Sequence, residues 1–397
     1  REAIPRENPK GQLEFYRGLT DMLVHAAPEV RLSWSRDGGE GPRHASGLIG
    51  SLPKSCDAGN VPSAPGRLIT AAGIDNGQLH GGPVVEADDD RQGIPYTEGE
   101  VELPGGADFF RLQAACPMLA YVRWRLGAKF PAMPGPFASP MFRGILMHEA
   151  LHALYQHAED GGAFPQTGEI AAAVAEALSR LGARQRLGHT AWLAETGRLE
   201  RVLREWLDVD GERSGFEVEA LESGGRHALG RAFISVRLDR LDRMPDGRLF
   251  LIDYKSGKGP RRRTSEWVRS RMQEPQLPLY AALLEAQGNA VGGIAIGQVR
   301  TGECGFDGIT DEAGHSGDTE PVKPAPGLIE PGQGRPKMKF RDWRALMSHW
   351  QAQSRLLCEE ILDGCAENRV YEPGPVAYSG LDLILRHEST EDPDDDR

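Results

Sequence analysis

Apolar residues recur at three- and four-residue spacing through much of the chain, the pattern that predicts amphipathic helices. The clearest stretch is "FFRLQAACPMLAYVRWRLGAKF", which starts at Phe109 and contains one internal proline. The same spacing, rich in Ala and Leu, predicts further helices at residues 11–27, 140–158, 167–183, 188–207, 274–288 and 341–364.

Alternating apolar and polar residues predict strands between these helices, at residues 30–35, 215–222, 228–243, 248–255 and 291–300. A turn at Pro245–Gly247 joins two of these strands into a hairpin. Alternation along a strand then places Asp253 and Lys255 on one face and Tyr254 on the other. Helices interleaved with strands indicate an α/β fold.

The pattern changes along the chain and predicts three regions. Residues 1–107 are loop-rich, because residues 36–107 contain much Gly, Pro, Asp and Ser and little periodicity. Residues 108–387 form the α/β domain, with residues 301–337 as a long flexible loop. Residues 388–397 form an acidic tail that we expect to be disordered.

Composition narrows the class of protein. The chain has 397 residues, 39% of them hydrophobic, and a formal net charge of −12. That charge argues against a general coat for polyanions but leaves nucleic acid open as a partner. The sequence contains no apolar run long enough to span a bilayer, and its five scattered cysteines form no CxxC pair. We therefore expect a cytoplasmic protein, and the first residue, Arg1, indicates a piece of a longer polypeptide.

The hairpin carries the first candidate chemistry. An Asp and a Lys two residues apart on a mostly apolar strand are costly to bury unless they act together. Asp239 lies on the neighbouring strand, where it can sit beside Asp253. Carboxylates bind Mg²⁺ or Mn²⁺, and Lys255 can stabilise charge that develops on a phosphoryl group. A single D-x-K is more often an ordinary salt bridge, so the surrounding sequence must decide.

A second pattern points to different chemistry. "MHEALHALY", residues 147–155, fits H-E-x-x-H, with His148, Glu149 and His152 in the positions of a zinc metalloprotease motif. Such a protease needs both histidines and a third ligand. It would also leave the hairpin carboxylates and lysine unexplained.

Four blocks, taken in order, resemble the RecB-type branch of the PD-(D/E)xK nuclease superfamily: "GILMHEALHALY", "RLDRLDR", "LIDYKSG" and "QLPLYAALL". "AACPMLAYVRWRLGAK" also resembles a helix of AddB-like proteins. The resemblance covers about residues 109–386. It implies a restriction-endonuclease-like core, in which a central mixed β-sheet is flanked by helices. It also implies a metal-dependent DNA nuclease, either an exonuclease or an endonuclease.

The resemblance assigns roles to individual residues. It implies that His148, Asp239 and Asp253 hold Mg²⁺ or Mn²⁺, and that these three act in catalysis together with Lys255. Glu149 and His152 are incidental in this interpretation. The Q-x-x-x-Y helix lines the DNA-binding side, and its two characteristic residues are Gln276 and Tyr280.

A basic stretch, "KGPRRRTSEWVRSR", follows the catalytic strand and predicts contact with phosphates. Its candidate DNA-binding residues are Lys258, Arg261, Arg262 and Arg263. Trp267 is a candidate either for stacking a base or for the core. Because no G-x-x-x-x-G-K-[ST] motif is present, we expect a separate helicase partner, or a helicase-like region of the parent polypeptide of which residues 1–107 are a remnant.

AddB-like proteins usually hold a [4Fe–4S] cluster, and the resemblance implies one cysteine in the CP helix and three near the C-terminus. Cys116 matches the first. The block "PGPVAYSGLDLILRHES" has Val376, Ser379 and Leu385 at the other positions, and none of these offers a thiolate. We predict no cluster, with Cys116 as a relic ligand.

The favoured hypothesis is a nuclease that processes DNA ends in double-strand-break repair. The alternatives are a non-catalytic DNA-binding or scaffold module that kept the fold, and the H-E-x-x-H zinc protease.

Overall fold

The computed structural model describes residues 9–27, 30, 32, 44–50, 52, 74–75, 78–79, 91–129, 139–213, 215–257, 264–311, 327–332 and 339–385. The chain divides into two compact units, a smaller one over Glu2–Asp89 and a larger one over Asp90–Arg397. Among the described residues, no helix combines the length and the apolar character that crossing a membrane requires.

The smaller unit contains one long helix, α1 (Pro9–Val24), which confirms the helix predicted there. A 3₁₀ turn at Gly47–Ile49 follows, and β1 (Ile74–Asp75) pairs antiparallel with β2 (Gln78–Leu79). The strand predicted at residues 30–35 falls largely outside the described residues.

A mixed β-sheet forms the centre of the larger unit. In the described part of the chain it has seven strands: β3 (Val101–Leu103), β4 (Glu217–Leu229), β5 (Ala232–Arg243), β6 (Leu249–Lys255), β7 (Val291–Gln298), β8 (Gly305–Thr310) and β9 (Leu328–Ile329). The order is β3-β5-β6-β7-β8-β9, with β4 also paired to β5. The β5–β6 pair is the predicted hairpin, antiparallel with Arg243 opposite Leu249. The β6–β7 pair is parallel, which makes the sheet mixed, as predicted.

Helices flank this sheet, and most lie where the apolar spacing predicts them. They are α2 (Ala107–Ala115), α3 (Pro117–Ala120), α4 (Pro140–Glu159), α5 (Ile170–Arg180), α6 (Ala183–Leu187), α7 (His189–Asp210), α8 (Thr264–Trp267), α9 (Gln276–Ala286), α10 (Trp343–Leu362), α11 (Pro373–Ala377) and α12 (Asp382–Leu385). The helix predicted from Phe109 is broken at Cys116, whose extended backbone precedes Pro117. A residue before proline avoids the helical region, so the break follows from the sequence.

Each face of the sheet supports its own apolar core. Leu249 and Leu251 pack in one core, together with residues of α2, α3, α9 and α10. Phe250 and Ile252 pack in the other, with residues of α4, α5 and α7. The predicted alternation along β6 is therefore confirmed, and it decides on which side each polar group of this strand emerges. Trp267 is 1% exposed and belongs to the first core, so base stacking by this residue is excluded in the described arrangement.

Two predicted boundaries need correction. The loop predicted over residues 301–337 contains β8, which pairs antiparallel with β7. The signal was hidden because Gly308 stands where a side chain would be expected: a Cβ there would lie 2.5 Å from the Cβ of Ala295. The larger unit also begins at Asp90, ahead of the predicted division at residue 107, because Val101–Leu103 pairs with β5.

Candidate active site

Polar side chains from β4, β5, β6, α4 and α9 meet beside the end of β6. Helix α4 passes close to the loop that follows the strand: a Cβ built at Gly144 would lie 3.7 Å from the Oγ of Ser256, which is an ordinary van der Waals distance. The helix starts at a defined position, since the Ser139 side chain accepts a hydrogen bond from the Phe142 amide at 3.1 Å.

The first group in the site consists of His148, Asp239 and Glu222. The Nδ1 atom of His148 lies 3.3 Å from Asp239 Oδ1 and 3.8 Å from Glu222 Oε1. One ligand atom from each of the three residues lies within 4.8 Å of the others. Such spacing fits ligands that share one divalent cation, because metal–ligand bonds of about 2 Å bring ligand atoms this close together.

The second group consists of Asp253, Lys255 and Gln276. Asp253 Oδ2 lies 2.8 Å from the Lys255 ammonium, and Asp253 Oδ1 accepts a hydrogen bond of 2.7 Å from the Gln276 side-chain amide. Lys255 also donates to Gln276 Oε1 at 3.5 Å. Gln276 thus bridges the two charged groups, a contact that the sequence did not predict.

Electrostatics differ between the two groups. Burial raises the pKa of Asp253 to about 6, with the nearby Asp239 adding to the rise and Lys255 opposing it. Burial alone would lower the pKa of His148, but hydrogen bonding to Asp239 and Glu222 outweighs it and raises this pKa to about 10. The shift of His148 therefore reflects the two carboxylates beside it, whereas the shift of Asp253 reflects mainly its burial, and an added cation would favour the ionised form of these carboxylates.

The strand backbone holds Asp239 in position. The amide of Tyr254 donates a hydrogen bond of 2.7 Å to Asp239 Oδ2, which leaves Oδ1 facing His148. Tyr254 itself is buried on the opposite side of β6, in the second core. The site is therefore anchored at its centre by the same hairpin that the turn at Pro245–Gly247 predicts.

Glu222 is the residue that sequence reasoning missed. It lies on β4 between the register pairs Leu221–Arg240 and Ser223–Leu238, directly across from Asp239. Its φ of 45° is positive, unlike that of any other non-glycine residue in the described part of the chain. An ordinary side chain in this conformation is strained, and such strain clusters at functional sites. No simple spacing in the sequence signals this backbone turn.

The residues predicted to contact DNA lie in different surroundings from one another. Gln276 is half-buried in the site, whereas Tyr280 is 5% exposed and packs in the first core. Burial raises the pKa of Tyr280 to about 12, although its hydroxyl is hydrogen-bonded to the backbone of Arg237. The remaining predicted contacts, Lys258, Arg261, Arg262 and Arg263, lie outside the described residues.

The family model described as "PD-(D/E)XK nuclease superfamily" matches residues 110–373, which is more than half of the chain.

The chain belongs to the PD-(D/E)XK nuclease superfamily.

Among curated proteins, none matches this PD-(D/E)XK chain. A solved structure entitled "Crystal structure of SSO0001" resembles it at 14% identity, over 61% of this chain and 83% of that chain, with a TM-score of 0.25. The family assignment rests on the family match.

In this PD-(D/E)XK chain, the H-E-x-x-H string does not form the ligand set of a zinc protease in the described residues. Glu149 lies 3.7 Å from Arg180, which offers it an ion pair on the surface of α4 and α5. In the described residues, the group of three potential metal ligands that contains His148 includes Glu222 and Asp239, but not His152. The zinc-protease alternative is therefore not supported.

The structure also describes the C-terminal block in which Val376, Ser379 and Leu385 stand at the expected cysteine positions. Val376 and Leu385 are buried in the same apolar core as Cys116, and burial raises the pKa of the Cys116 thiol. The Ser379 hydroxyl donates to the backbone carbonyl of Val376. The C-terminal block thus packs against the α2–α3 junction through apolar contacts. The prediction that no iron–sulfur cluster is bound stays a prediction.

A second charged cluster lies behind the site, on the other side of β5. Arg240 forms ion pairs of 2.6 Å with Asp210 and with Asp242, and all three side chains are 0% exposed. The Tyr155 hydroxyl donates to Asp210, and Arg213 pairs with Asp242 at 2.7 Å. This cluster ties α4 and α7 to the sheet and therefore holds the helix that carries His148.

Proposed function

We propose that this protein hydrolyses DNA phosphodiester bonds with Mg²⁺ or Mn²⁺. The observation that carries the proposal is the convergence of His148, Asp239 and Glu222 with Asp253 and Lys255 in one partly exposed site of a PD-(D/E)XK nuclease. This residue set has oxygen ligands, an imidazole and a cation within a few ångströms of one another.

The ligands present fit a divalent cation. Asp239 and Glu222 supply hard oxygen donors, and His148 supplies a nitrogen whose proton a metal would replace. Asp253 is the third ligand implied by the family resemblance, and its buried, crowded carboxylate gains from a neighbouring positive charge. When bound, the cation polarises a phosphoryl oxygen and lowers the pKa of a coordinated water.

The side chains around the cation site have separate tasks. Lys255 places its ammonium beside Asp253 and is 32% exposed, so it can donate to the attacking water or to a phosphoryl oxygen. Gln276 orients Asp253 and Lys255 through its amide, which keeps both aimed at the same point. The Tyr254 amide fixes Asp239. The result is a preorganised group of donors and acceptors.

We also propose a branch of the superfamily and a cellular role for this protein. The order of the four sequence blocks supports the RecB/AddB-like branch, and with it a role in processing DNA ends during double-strand-break repair. A helicase partner, or a helicase-like region of the parent polypeptide, would supply the strand opening, since this sequence has no phosphate-binding loop of its own.

The test is cleavage of linear single-stranded and double-stranded DNA in Mg²⁺ or Mn²⁺, with wild type compared with Asp253→Ala and Lys255→Ala. The proposal predicts metal-dependent cleavage by wild type and its loss in both variants. If wild type binds DNA but cuts with neither metal, the non-catalytic binding module is the better description. Glu303→Ala, at an exposed residue that pairs with Arg300, serves as the matched surface control.

A further inference from the structure

Two apolar side chains stand exposed on the helix that carries His148. Met141 is 75% exposed and Ile145 is 43% exposed, both on α4. Residues four and seven apart on a helix share one face, so Met141, Ile145 and His148 form a continuous row. We call Met141 and Ile145 the apolar ridge. It leads from the N-terminal end of α4 directly to the candidate metal site.

The helix end that carries the ridge is fixed by a cap and by buried neighbours. Ser139 caps the helix, and Pro140 occupies its first turn. The neighbouring residues Phe142 and Leu146 are buried at 3% and 0% in the second core, so they fix the rotation of the helix. A rigid helix therefore presents the ridge at a constant distance from His148.

The ridge is long enough to run beside several nucleotides. Seven residues of α-helix rise about 10 Å, at roughly 1.5 Å per residue. Successive bases of a stacked strand are about 3.4 Å apart, so the ridge covers about three base steps beside the reacting phosphate. A strand whose phosphate lies at His148 and Asp239 must continue past the site, and the ridge borders the site on the side of the N-terminal end of α4.

We propose that the apolar ridge contacts nucleobases of the bound strand and favours DNA whose bases are unstacked, that is, single strands or frayed ends. This inference rests on the proposed nuclease function. Methionine and isoleucine are among the side chains that proteins insert between base steps. An intact duplex hides its base faces in the stack, and therefore offers the ridge much less surface.

A nucleic acid fits this ridge better than a protein partner does. Two side chains present far less surface than the roughly 1,000 Å² that a specific protein interface needs. The ridge is also continuous with a site suited to phosphodiesters, and DNA brings phosphate and base faces together in one ligand.

The experiment uses the full chain with Lys255→Ala as background, so that the DNA stays uncut. The ridge variant is M141Q/I145Q. The matched control is Leu356→Gln, at a residue of α10 that is 41% exposed. Oligonucleotides carry 2-aminopurine, whose fluorescence rises when it unstacks, and they are titrated as single strands and as duplexes.

The inference predicts that the ridge variant binds single-stranded DNA about 10-fold more weakly than its background, which is within the range for loss of a base contact. We expect a smaller change with duplex and loss of the 2-aminopurine brightening. The Leu356→Gln control should match the background. Equal single-strand binding and equal brightening in the ridge variant would overturn the inference.

Two further results separate the possible failures. If wild type cleaves DNA while the ridge variant binds like its background, the inference fails and the proposed function stands. If wild type never cleaves but the ridge still governs binding, the nuclease proposal fails instead. A melting temperature lowered by M141Q/I145Q well below that of Leu356→Gln would show that the chain itself covers the ridge, and this also overturns the inference.

Discussion

Asp239 and Arg240 are neighbours on β5, yet their side chains belong to two charged clusters that differ in their exposure to solvent. Arg240 is enclosed, with its ion-pair partners Asp210 and Asp242 also at 0% exposure. Asp239 faces the candidate site, where the His148 side chain is 31% exposed and that of Lys255 is 32% exposed. Strand alternation places one cluster on each side of the same strand.

The difference lies in how far solvent, and therefore a ligand, can reach each cluster. In the enclosed cluster, acids and bases neutralise one another: burial would raise the pKa of Asp210, but Arg240 and Arg213 lower it overall. The open site has three carboxylates, Glu222, Asp239 and Asp253, and three bases, His148, Lys255 and Arg237, the last of which pairs with Glu222 at 2.7 Å. Burial is the main cause that raises the pKa of Asp253 to about 6. Enclosed ion pairs are costly to break, whereas partly exposed charged groups can exchange a protein partner for a ligand.

The largest effect is expected from breaking the enclosed cluster. Arg240→Met leaves Asp210 and Asp242 buried with less compensation, which costs about 3–5 kcal/mol of unfolding free energy. Denaturant titration would measure it. Arg226→Met is the control, because its pair with Glu102 is about half exposed on both sides and is worth about 0–1 kcal/mol. A small loss for Arg240→Met would mean that the cluster is not what stabilises the fold.

The next largest effect is expected on the cleavage rate rather than on the free energy of unfolding. Lys255→Ala is expected to reduce the cleavage rate by about 10²–10³-fold, the size seen when one donor to a developing charge is removed. The unfolding midpoint should fall much less than in Arg240→Met, because Lys255 is partly exposed and Asp253 keeps its hydrogen bond from Gln276. Single-turnover cleavage and thermal melting would be measured on the same preparations. A variant that lost both together would blur the distinction between the two clusters.

A smaller effect is expected at Glu222. Glu222→Gln should weaken Mn²⁺ binding by roughly 10-fold, similar to the loss of a supporting metal contact. Calorimetric titration of Mn²⁺ would measure this. Glu219→Gln on the same strand is the control, since Glu219 pairs with Arg243 away from the site. Equal affinity in both variants would remove Glu222 from the ligand set.

The smallest effect is expected from acidification below pH 3.8. The folded-state pKa of Asp210 lies below its ordinary value of 3.8, so the unfolded chain takes up this proton first. The stability from Asp210 is therefore complete above pH 3.8 and is lost as the pH falls further, toward the folded pKa. Denaturation of wild type and Asp210→Asn between pH 6 and 3 would show the two curves converging at the acid end. Parallel curves would contradict this account.

Much of the fold could be predicted because its signals are local. The helix at Pro140–Glu159 follows from apolar spacing, and the β5–β6 hairpin follows from alternation around a Pro-Asp-Gly turn. These patterns also predicted that Asp239 would lie near Asp253. The strand β8 escaped prediction because Gly308 allows close packing against β7 and interrupts the apolar alternation.

The site was predictable only in part, for a physical reason. Asp253 and Lys255 lie two apart on one strand, so a short stretch of sequence reveals them. Glu222 reaches the site only because β4 pairs with β5 in one particular register and because its own φ is positive. The contact of Gln276 with Asp253 likewise depends on how α9 packs against β6. Register and helix packing are tertiary properties that residue spacing does not encode.

The most direct test of the central claim, that the open cluster is a metal site, is an anomalous-scattering map from crystals of the full chain grown with Mn²⁺. The account predicts a strong peak roughly 2 Å from the His148 imidazole and from an Asp239 carboxylate oxygen. It also predicts that the peak disappears in Asp239→Asn. A map without density at this position, or with a peak held instead by His148 and His152, would contradict the account.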